Sequence, residues 1–428
     1  MTNLTIENKN RHYFFTLSLF LMSILLHQSN VILGINISFS DLFCFVLFIY
    51  MMLQRHLSIP IIPFLFFILV SIFVLSAAVF FVPFKFMYYP EPSGMINDYI
   101  KLAAILLYFI VGYNLMKLSK MARVIKWYSV FGLVIGGLGI FLTVFNINVF
   151  SSALFYADIR YRGLMNDPNY YSVLQITALV YFSRVKKMKV SYRYLALGVT
   201  LAAVLAAGSK TGMITLLCYL IFRLIEYTFH SKKKIRVIIS QLFLLAGMLL
   251  IVLISYHTLQ NAVKDIASGI PSLERVLYLF TDFHSAITSN GSERDAAWNG
   301  AFQIIQHSPI IGVGIGTYTN VVWEVFQVTD IAHNTFLQLT AEWGIPLAFI
   351  FFFYVIYLFV KSANAQMINK ESNDMIRDIL LVLLVGSMAI SLNNARILWL
   401  LLGALASSVS IGSKSNLKEV VLRRGLNR

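Results

Sequence analysis

The chain has 428 residues, of which 58% are hydrophobic and only 12% are charged. A water-soluble domain of this length could not cover so much apolar surface, so the composition excludes an ordinary soluble enzyme. The 34 basic residues outnumber the 19 acidic residues and give a net charge of +15, which we interpret as a sign of membrane orientation and of contact with anionic lipid rather than nucleic acid.

Long apolar runs predict the membrane-spanning helices. One helical crossing of a bilayer needs about 20 apolar residues. The clearest runs are Phe64–Val82, Trp127–Asn146, Val237–Tyr256 and Thr335–Val360. An earlier run, Tyr13–His27, lacks a convincing small-residue cleavage site and is interpreted as a retained first helix. The sequence therefore predicts an all-α, polytopic transmembrane protein with about 12 helices.

Three basic clusters predict the orientation, because Lys and Arg accumulate in short cytoplasmic loops. The clusters consist of Lys117, Lys120, Arg123 and Lys126; of Arg184, Lys186, Lys187, Lys189 and Arg193; and of Lys232, Lys233, Lys234 and Arg236. With these clusters in the cytoplasm, both chain termini are predicted to be cytoplasmic as well.

Two tight turns are predicted on the opposite, outer side. The apolar stretch 195–226 joins two cytoplasmic clusters and must cross twice, which places Lys210 near an outer turn. The same reasoning for 379–411 places Arg396 at a second outer turn. A charge there is costly unless it faces a watery cavity or a fixed anion, and snorkelling to the headgroup layer is the alternative for both residues. Lys101 is interpreted as interfacial.

The chain is predicted to have four regions. They are an N-terminal bundle of about nine transmembrane helices (1–256), an extracytoplasmic loop with short helices (257–335), C-terminal transmembrane helices (336–411) and a basic cytoplasmic tail (412–428). The loop is too long for an ordinary connection, so we expect a lid, a binding element or a small domain.

A helix is predicted within this loop, because Ser292-x-x-Asp295 is a capping pattern. Its apolar face comprises Ala297, Ala301, Ile304 and Ile305. Arg294 lies in the first turn, close to the positive end of the helix dipole, which is unfavourable unless both face one anion. The alternative is an exposed Arg294 that pairs with Glu293 or Asp295.

The three glycines within 312–316 have a spacing like that of a dinucleotide fingerprint, but no strand–helix unit is predicted around them. The turn at Lys210 likewise lacks the glycine of a nucleotide phosphate loop, so we reject nucleotide binding at both places. We expect the glycines to let the backbone pass close to a ligand or another helix. Cys44 and Cys218 show neither paired spacing nor a metal pattern, and no metal or cofactor is expected.

His333 and Asn334 open the next apolar helix. A histidine at the outer membrane boundary can act as a general base near neutral pH, and a structural role is the alternative. Glu342 lies nine residues further on. An acid inside a predicted span needs a partner or a role, so Glu342 either pairs with an outer arginine or takes part in the chemistry.

Taken together, these residues resemble the signature of the O-antigen ligase/polymerase family of bacterial membrane glycosyltransferases. The residues that carry the resemblance are Arg294, Trp298, Ala301, Ser308, Pro309, Gly312, Gly314, Gly316, His333, Asn334, Leu337, Glu342 and Gly344. Weaker matches are Arg162-Gly163, Asn166–Asn169 and Ser209-Lys210-x-Gly212. The resemblance is specific over about 170–350, whereas the first 150 residues are similar only in hydropathy.

The resemblance implies a GT-C-like helical glycosyltransferase with a cavity that faces the outer leaflet and needs no metal or nucleotide. It implies that Arg294 and Lys210 bind the diphosphate of the donor and that His333 is the base, or the positioning residue, for the acceptor hydroxyl. Further candidate substrate-binding residues are Arg160, Arg162, Arg396, Asn334 and Glu342. The family usually has Arg where this chain has Lys210, which keeps the charge but not the bidentate fork.

The function implied by the resemblance is polymerisation of lipid-linked repeat units of O-antigen, capsule or exopolysaccharide. The expected partners are an oligosaccharide on undecaprenyl diphosphate, an acceptor glycan, membrane lipids, and flippase and chain-length regulator proteins, but not nucleic acid. The site would be extracytoplasmic, in the bacterial cytoplasmic (inner) membrane. The alternatives are a ligase that transfers polymer to lipid A core, a transporter of the lipid-linked saccharide, and a membrane scaffold.

Overall fold

The computed structural model describes residues 2–29, 37–147, 150–157, 159–230, 240, 294–328, 331–363 and 370–425. The helices are α1 (Thr2–Leu25), α2 (Phe39–Leu53), α3 (Ile61–Ser76), α4 (Val82–Phe86), α5 (Pro92–Lys117), α6 (Met121–Val144), α7 (Ser151–Leu154), α8 (Pro168–Arg184), α9 (Val190–Ala206), α10 (Lys210–His230), α11 (Arg294–His307), α12 (Tyr318–Glu324), α13 (Thr335–Ala363), α14 (Lys370–Gly386) and α15 (Arg396–Gly425). A π-helical turn, Ala77–Phe81, joins α3 to α4.

Within the described residues, four helices are long and apolar enough to cross a membrane. They are the α3–α4 unit (Ile61–Phe86), α5, α6 and α13. Shorter apolar helices are His12–Leu25, Phe39–Leu53, Val190–Ala206 and Arg396–Ile411. These helices support a multi-pass helical membrane protein, and the number of about 12 crossings stays a prediction. The predicted run Val237–Tyr256 lies almost entirely outside the described residues.

The predicted turn at Lys210 is confirmed as a helix boundary, because α9 ends at Ala206 and α10 begins at Lys210. The second turn is confirmed in the same way, between Gly386 and Arg396. Helix α8 lies at the centre of this part of the bundle and packs against α6, α9, α10 and α14. Every residue from Tyr171 to Phe182 on α8 is buried.

Among the helices that the structure describes, α5 and α15 make the most extensive contact, and glycine makes their approach possible. A Cβ atom on Gly112 of α5 would overlap the carbonyl group of Leu400, and one on Gly403 of α15 would overlap that of Phe109. Small residues at a crossing let two backbones come together, as is common in membrane helix pairs. The pair therefore supports the first turns of both helices, which border the candidate site.

The glycine-rich segment 308–316 lies between two interrupted helices. In α13 the backbone leaves helical geometry at Gly344 (φ 75°, ψ 160°). The carbonyl groups of Ala341 and Glu342 then accept hydrogen bonds from the N–H groups of Val313 and Gly314, both at 2.9 Å. Backbone groups that the broken helix would leave unpaired are thus satisfied by this segment.

On its other side, the same segment contacts α3 just before the π-helical turn. The N–H of Ile315 donates to the carbonyl of Val74 at 3.1 Å. Gly314 has φ +75°, and a Cβ atom there would overlap the backbone of Val74 and Ala78. The expectation that these glycines let the backbone pass close to another helix is confirmed.

The loop helix predicted after Ser292 is present as α11, and Ala297, Ala301 and Ile304 are buried on its predicted apolar face. One feature differs from the sequence prediction. A short antiparallel pair, β1 (Phe155–Tyr156) and β2 (Arg160–Tyr161), interrupts the all-α pattern. Helix α15 continues to Gly425, through most of the predicted tail 412–428. The turn that the Asn290-Gly291 pair predicts before α11 lies outside the described residues.

Candidate functional site

A polar cavity of about 550 Å³ lies between helix ends and the glycine-rich segment. Its walls come from the first turns of α5, the start of α8, residues 315–320, residues 331–343 and the connection between α14 and α15. Its carboxylate and amide side chains are Asn97, Asp98, Asn166, Asp167, Asn320, Gln338, Glu342, Asn393 and Asn394. Tyr170, Tyr318, Trp343 and His333 also line it. A concave site with many convergent polar groups suits a polar ligand.

A second chamber of about 190 Å³ adjoins the cavity. The two spaces share Lys101, Asn166, Tyr170, Ser391 and Asn394. The second chamber adds Arg396 and the start of α2, including Ser38 and Ser40. The site thus extends from the loop helices towards the junction of α2 and α15.

His333 lines the main cavity at the point where α13 begins. Its backbone is left-handed (φ 44°), an uncommon conformation for histidine. The following residue fixes it there, because the Asn334 side-chain oxygen accepts hydrogen bonds from the N–H groups of Phe336 (3.0 Å) and Leu337 (3.1 Å). Strained residues that their surroundings hold in place cluster at functional sites. Asn334, a predicted substrate-binding residue, is placed here as the helix cap.

The start of α13 is also fixed to the connection between α14 and α15. The Thr335 N–H donates to the carbonyl of Ser387 at 2.8 Å, and its hydroxyl donates to the carbonyl of Ile390 at 2.9 Å. The N–H of Leu392 donates to that hydroxyl at 2.7 Å. His333 is therefore held on a rigid edge of the cavity.

Glu342 lines the same cavity two turns along α13. Its carboxylate accepts a hydrogen bond from the Gln338 side-chain nitrogen at 2.8 Å. Among the described side chains, the hydrogen-bond partner of Glu342 is therefore a neutral amide. The helix break at Gly344 follows directly, so Glu342 faces the cavity close to the end of a regular helical segment.

Lys101 and Asp98 line the cavity from α5 and pair with each other at 2.6 Å. The interpretation of Lys101 as simply interfacial is therefore corrected, because its ammonium group belongs to the cavity wall. Asp98 was not singled out either. The available signal was an acid and a base spaced i,i+3 in the first turns of an otherwise apolar helix, where both charges need a partner.

Arg160 is buried and holds the turn from which α10 starts. Its Nε donates to the carbonyl of Ala207 at 3.2 Å, and its Nη2 donates to the Asn169 side-chain oxygen at 3.0 Å. The Ser209 hydroxyl donates to the same oxygen at 2.9 Å. Lys210 follows Ser209 and is half-buried.

Asp167 connects this turn with the cavity. Its carboxylate caps α8 by accepting hydrogen bonds from the N–H groups of Asn169 (2.7 Å) and Tyr170 (2.9 Å). Asp167 and Tyr170 both line the cavity, whereas Asn169 carries the bonds to Arg160 and Ser209. The turn that carries Lys210 is therefore attached to the cavity wall, although Lys210 is not among the described lining residues.

Arg162 stabilises the loop that precedes α8. Its Nη1 donates to the carbonyl of Asn166 at 3.1 Å and its Nη2 to that of Ser152 at 2.8 Å. Asn166 in turn lines both chambers and is bonded to Ser29. Arg162 thus positions a lining residue and is not itself in the described wall.

Arg396 forms a bidentate ion pair with Asp41 of α2, with distances of 3.1 Å and 2.9 Å. Its Nη1 also donates to the carbonyl of Asn394 at 2.9 Å. This geometry differs from snorkelling, the alternative considered from the sequence, because the guanidinium group joins two helices in the wall of the second chamber.

Arg294 is the first residue of α11, and its side chain lies outside the described residues. Helix α11 packs against α13, the helix that begins after His333. The structure thus brings His333 and Glu342 into one cavity, places Arg396 in the adjoining chamber, and attaches the Lys210 turn to the wall. Asp98, Asp167 and Tyr318 are lining residues that the sequence did not single out.

Tyr318 is nearly fully buried at the cavity, with 3% of its surface exposed. Burial, followed by the nearby Glu342 carboxyl, raises the pKa of its hydroxyl, so Tyr318 stays protonated at physiological pH. It can therefore donate as well as accept a hydrogen bond.

Residues 195–352 match the family model described as O-antigen ligase, and no curated protein matches the chain. The matched interval contains Lys210, Arg294, His333 and Glu342. It begins after Arg162 and Asn166–Asn169, so those weaker matches receive no support from it. The family resemblance of the sequence is confirmed.

Proposed function

We propose that this chain, whose residues 195–352 match the O-antigen ligase family model, polymerises lipid-linked polysaccharide repeat units. The donor is a glycan on undecaprenyl diphosphate, the acceptor is a sugar hydroxyl, and transfer takes place on the outer face of the bacterial cytoplasmic membrane. The observation that carries the proposal is His333, held by a helix cap on the wall of a polar cavity between apolar helices.

The acceptor hydroxyl attacks the anomeric carbon of the donor sugar in this reaction. A new C–O bond forms, the bond between the anomeric carbon and the diphosphate oxygen breaks, and its electron pair leaves with undecaprenyl diphosphate. His333 accepts the hydroxyl proton or orients the hydroxyl. Lys210 and Arg294 bind the diphosphate and stabilise its developing negative charge. A metal ion is not required in this scheme.

Several of the other candidate residues act in this scheme by positioning. Arg160 fixes the turn that carries Lys210, and Arg162 fixes the loop that carries Asn166. Asn334 fixes the backbone beside His333. Precise placement of reacting groups is worth several orders of magnitude in rate, so such residues matter without contacting substrate.

Ligation is the second candidate function, and the match to a family of O-antigen ligases favours it. A ligase would use the same donor and the same attack but would transfer a finished polymer once, to lipid A core or another acceptor. The two reactions differ in their products, not in the chemistry required of His333 or of the cations.

The test is reconstitution of the purified full-length protein in lipid nanodiscs with lipid-linked repeat units from the producing bacterium. A polymerase releases undecaprenyl diphosphate and yields glycans of increasing length. A ligase yields a single transfer, and only when a core acceptor is added, which would replace our proposal with the second candidate. Movement of the lipid-linked saccharide across the membrane of proteoliposomes without bond formation would contradict both polymerisation and ligation, and it would favour a transporter.

A further inference from the structure

The main cavity contains buried polar atoms that have no partner within the protein. Tyr318 is 3% exposed, and its hydroxyl has no hydrogen-bond partner. The Gln338 side-chain oxygen and the Ser391 hydroxyl are also buried without a partner, and all three residues line the cavity. Buried polar groups are nearly always paired in folded proteins, so three such groups around one space indicate a polar ligand.

The lining matches the chemistry of a sugar ring. The Tyr318 and Ser391 hydroxyls both donate and accept, whereas the Gln338 oxygen accepts and its nitrogen is occupied by Glu342. Each sugar hydroxyl can likewise both donate and accept a hydrogen bond, and several hydroxyls are arranged around the ring. Trp343 and Tyr170 add aromatic surface on which the apolar C–H face of a pyranose can pack.

The charges of the lining argue against an anionic sugar. Asp98 and Asp167 contribute two carboxylates to the wall. Lys101 is the lysine among the described lining residues, and Asp98 already engages it at 2.6 Å. A uronic acid would have to bring its carboxylate out of water and place it beside groups of the same charge. In the described part of the wall, Lys101 is already ion-paired and cannot compensate this charge.

We propose that the main cavity is a subsite for an uncharged pyranose. The Tyr318 hydroxyl recognises this sugar by a hydrogen bond, and the charges of the wall exclude uronic acids. This inference rests on the proposed function, because the sugar is part of the glycan being transferred. The donor diphosphate binds separately, at Lys210 and Arg294. Tyr318 and Asp98 are then specificity-determining residues of the site.

Binding of simple glycosides tests the role of Tyr318. The full-length protein in nanodiscs is titrated with the methyl glycosides of glucose, galactose and N-acetylglucosamine, and binding is followed by saturation-transfer NMR. Tyr318→Phe removes only the hydroxyl and should weaken binding of the preferred glycoside about fivefold, the equivalent of one neutral hydrogen bond. The matched control, Tyr354→Phe, removes a hydroxyl from α13 outside the cavity and should leave binding unchanged.

Binding of methyl glucuronide and methyl galacturonide tests the charge selection. The wild-type protein should bind both at least about tenfold more weakly than the preferred neutral glycoside. Asp98→Asn removes one carboxylate and frees the Lys101 ammonium, so it should strengthen uronide binding. Glu371→Gln, an exposed acid at the start of α14, serves as the control and should change nothing.

The inference is overturned if the wild-type protein binds uronides as well as neutral glycosides or binds no glycoside, or if Tyr318→Phe behaves like Tyr354→Phe. Uronide binding that stays unchanged in Asp98→Asn would also overturn it. Its failure can be distinguished from that of the proposed function. Selective glycoside binding without any bond formation contradicts the enzyme alone, whereas polymer formation without that selectivity contradicts the sugar subsite alone.

Discussion

Asn169 shows at the residue scale how the site is assembled from groups that do not touch substrate. Its side-chain oxygen accepts hydrogen bonds from Arg160 and from Ser209, the residue before Lys210. Its backbone N–H donates to Asp167, which lines the cavity. One amide therefore fixes the position of a predicted diphosphate-binding lysine relative to the cavity wall, and the buried Arg160 acts as part of the same network.

Lys210 provides the test at this scale. Lys210→Ala removes the charge proposed to stabilise the leaving diphosphate and should lower the transfer rate about 100-fold. Lys210→Arg keeps the charge and adds the bidentate fork usual in the family, so it should retain activity within about tenfold of the wild type. The measurement is undecaprenyl diphosphate release in nanodiscs, with Lys187→Ala in the α8–α9 connection as control. Equal activity of Lys210→Ala and the wild type would remove Lys210 from the site.

At the element scale, the site depends on two interrupted helices and the segment between them. The break at Gly344 and the π-helical turn Ala77–Phe81 lie on either side of segment 308–316. Hydrogen bonds from Val313, Gly314 and Ile315 attach the segment to both helices. The part of the loop that the structure describes is thus anchored to α3 and α13.

Gly314→Ala tests this anchoring. The substitution introduces a Cβ atom at φ +75° that would overlap backbone atoms of Val74 and Ala78, and the strain and displacement together should cost about 2 kcal/mol or more. We expect a lower apparent melting temperature and loss of transfer activity. The control is Gly137→Ala in α6, where a Cβ atom meets nothing within 4 Å; it should be neutral or slightly stabilising, because Ala favours helix. Equal melting temperatures for the two variants would contradict the anchoring.

Sequence patterns predicted those elements whose cause is local. The spacing of Ala297, Ala301 and Ile304 was sufficient for α11, because an apolar face arises within one helix. The charge clusters were sufficient for the helix boundary before Lys210. The π-helical turn was not predictable, since it depends on Val74 bonding to Ile315, more than two hundred residues away in the chain.

The cavity could be predicted only in part, for the same reason. His333 and Glu342 were chosen from a resemblance that covers their own segment, and the structure places both at the cavity. Asp98 and Lys101 come from α5, in the part of the chain that the resemblance did not cover, and only the packing of α5 against α15 brings them there. Arg160 was expected at the substrate, but its burial against Ala207 makes it a support.

At the scale of the whole molecule, the proposed reaction requires the cavity and the basic clusters to lie on opposite sides of the membrane. Single cysteines in a background without Cys44 and Cys218 test this. Thr319→Cys, at the cavity mouth, should react with a membrane-impermeant maleimide in intact spheroplasts. Lys187→Cys should react only after permeabilisation, because positively charged connections stay in the cytoplasm. The reverse pattern would place the site on the cytoplasmic face and contradict the proposed reaction.

Buried charges are also paired at the end of the bundle that lies away from the cavity. On the side of the α8 and α10 C-terminal ends, Asp378 of α14 is nearly buried and pairs with Arg184 at 2.6 Å, while the Tyr219 hydroxyl donates to it at 3.1 Å. This network joins α8, α10 and α14 away from the cavity. An ion-paired network thus holds this end of the bundle together, just as the Arg396–Asp41 pair joins α15 to α2 beside the cavity.

The most direct measurement is turnover by His333→Ala in nanodiscs with lipid-linked repeat units, compared with His307→Ala. His307 is an exposed histidine on α11 whose ring contacts the Gln303 carbonyl, so its loss controls for removal of an imidazole from the same loop. We predict that His333→Ala loses about 100-fold or more in undecaprenyl diphosphate release and forms no polymer, while His307→Ala keeps wild-type activity. Full polymer formation by a folded His333→Ala protein would contradict the account.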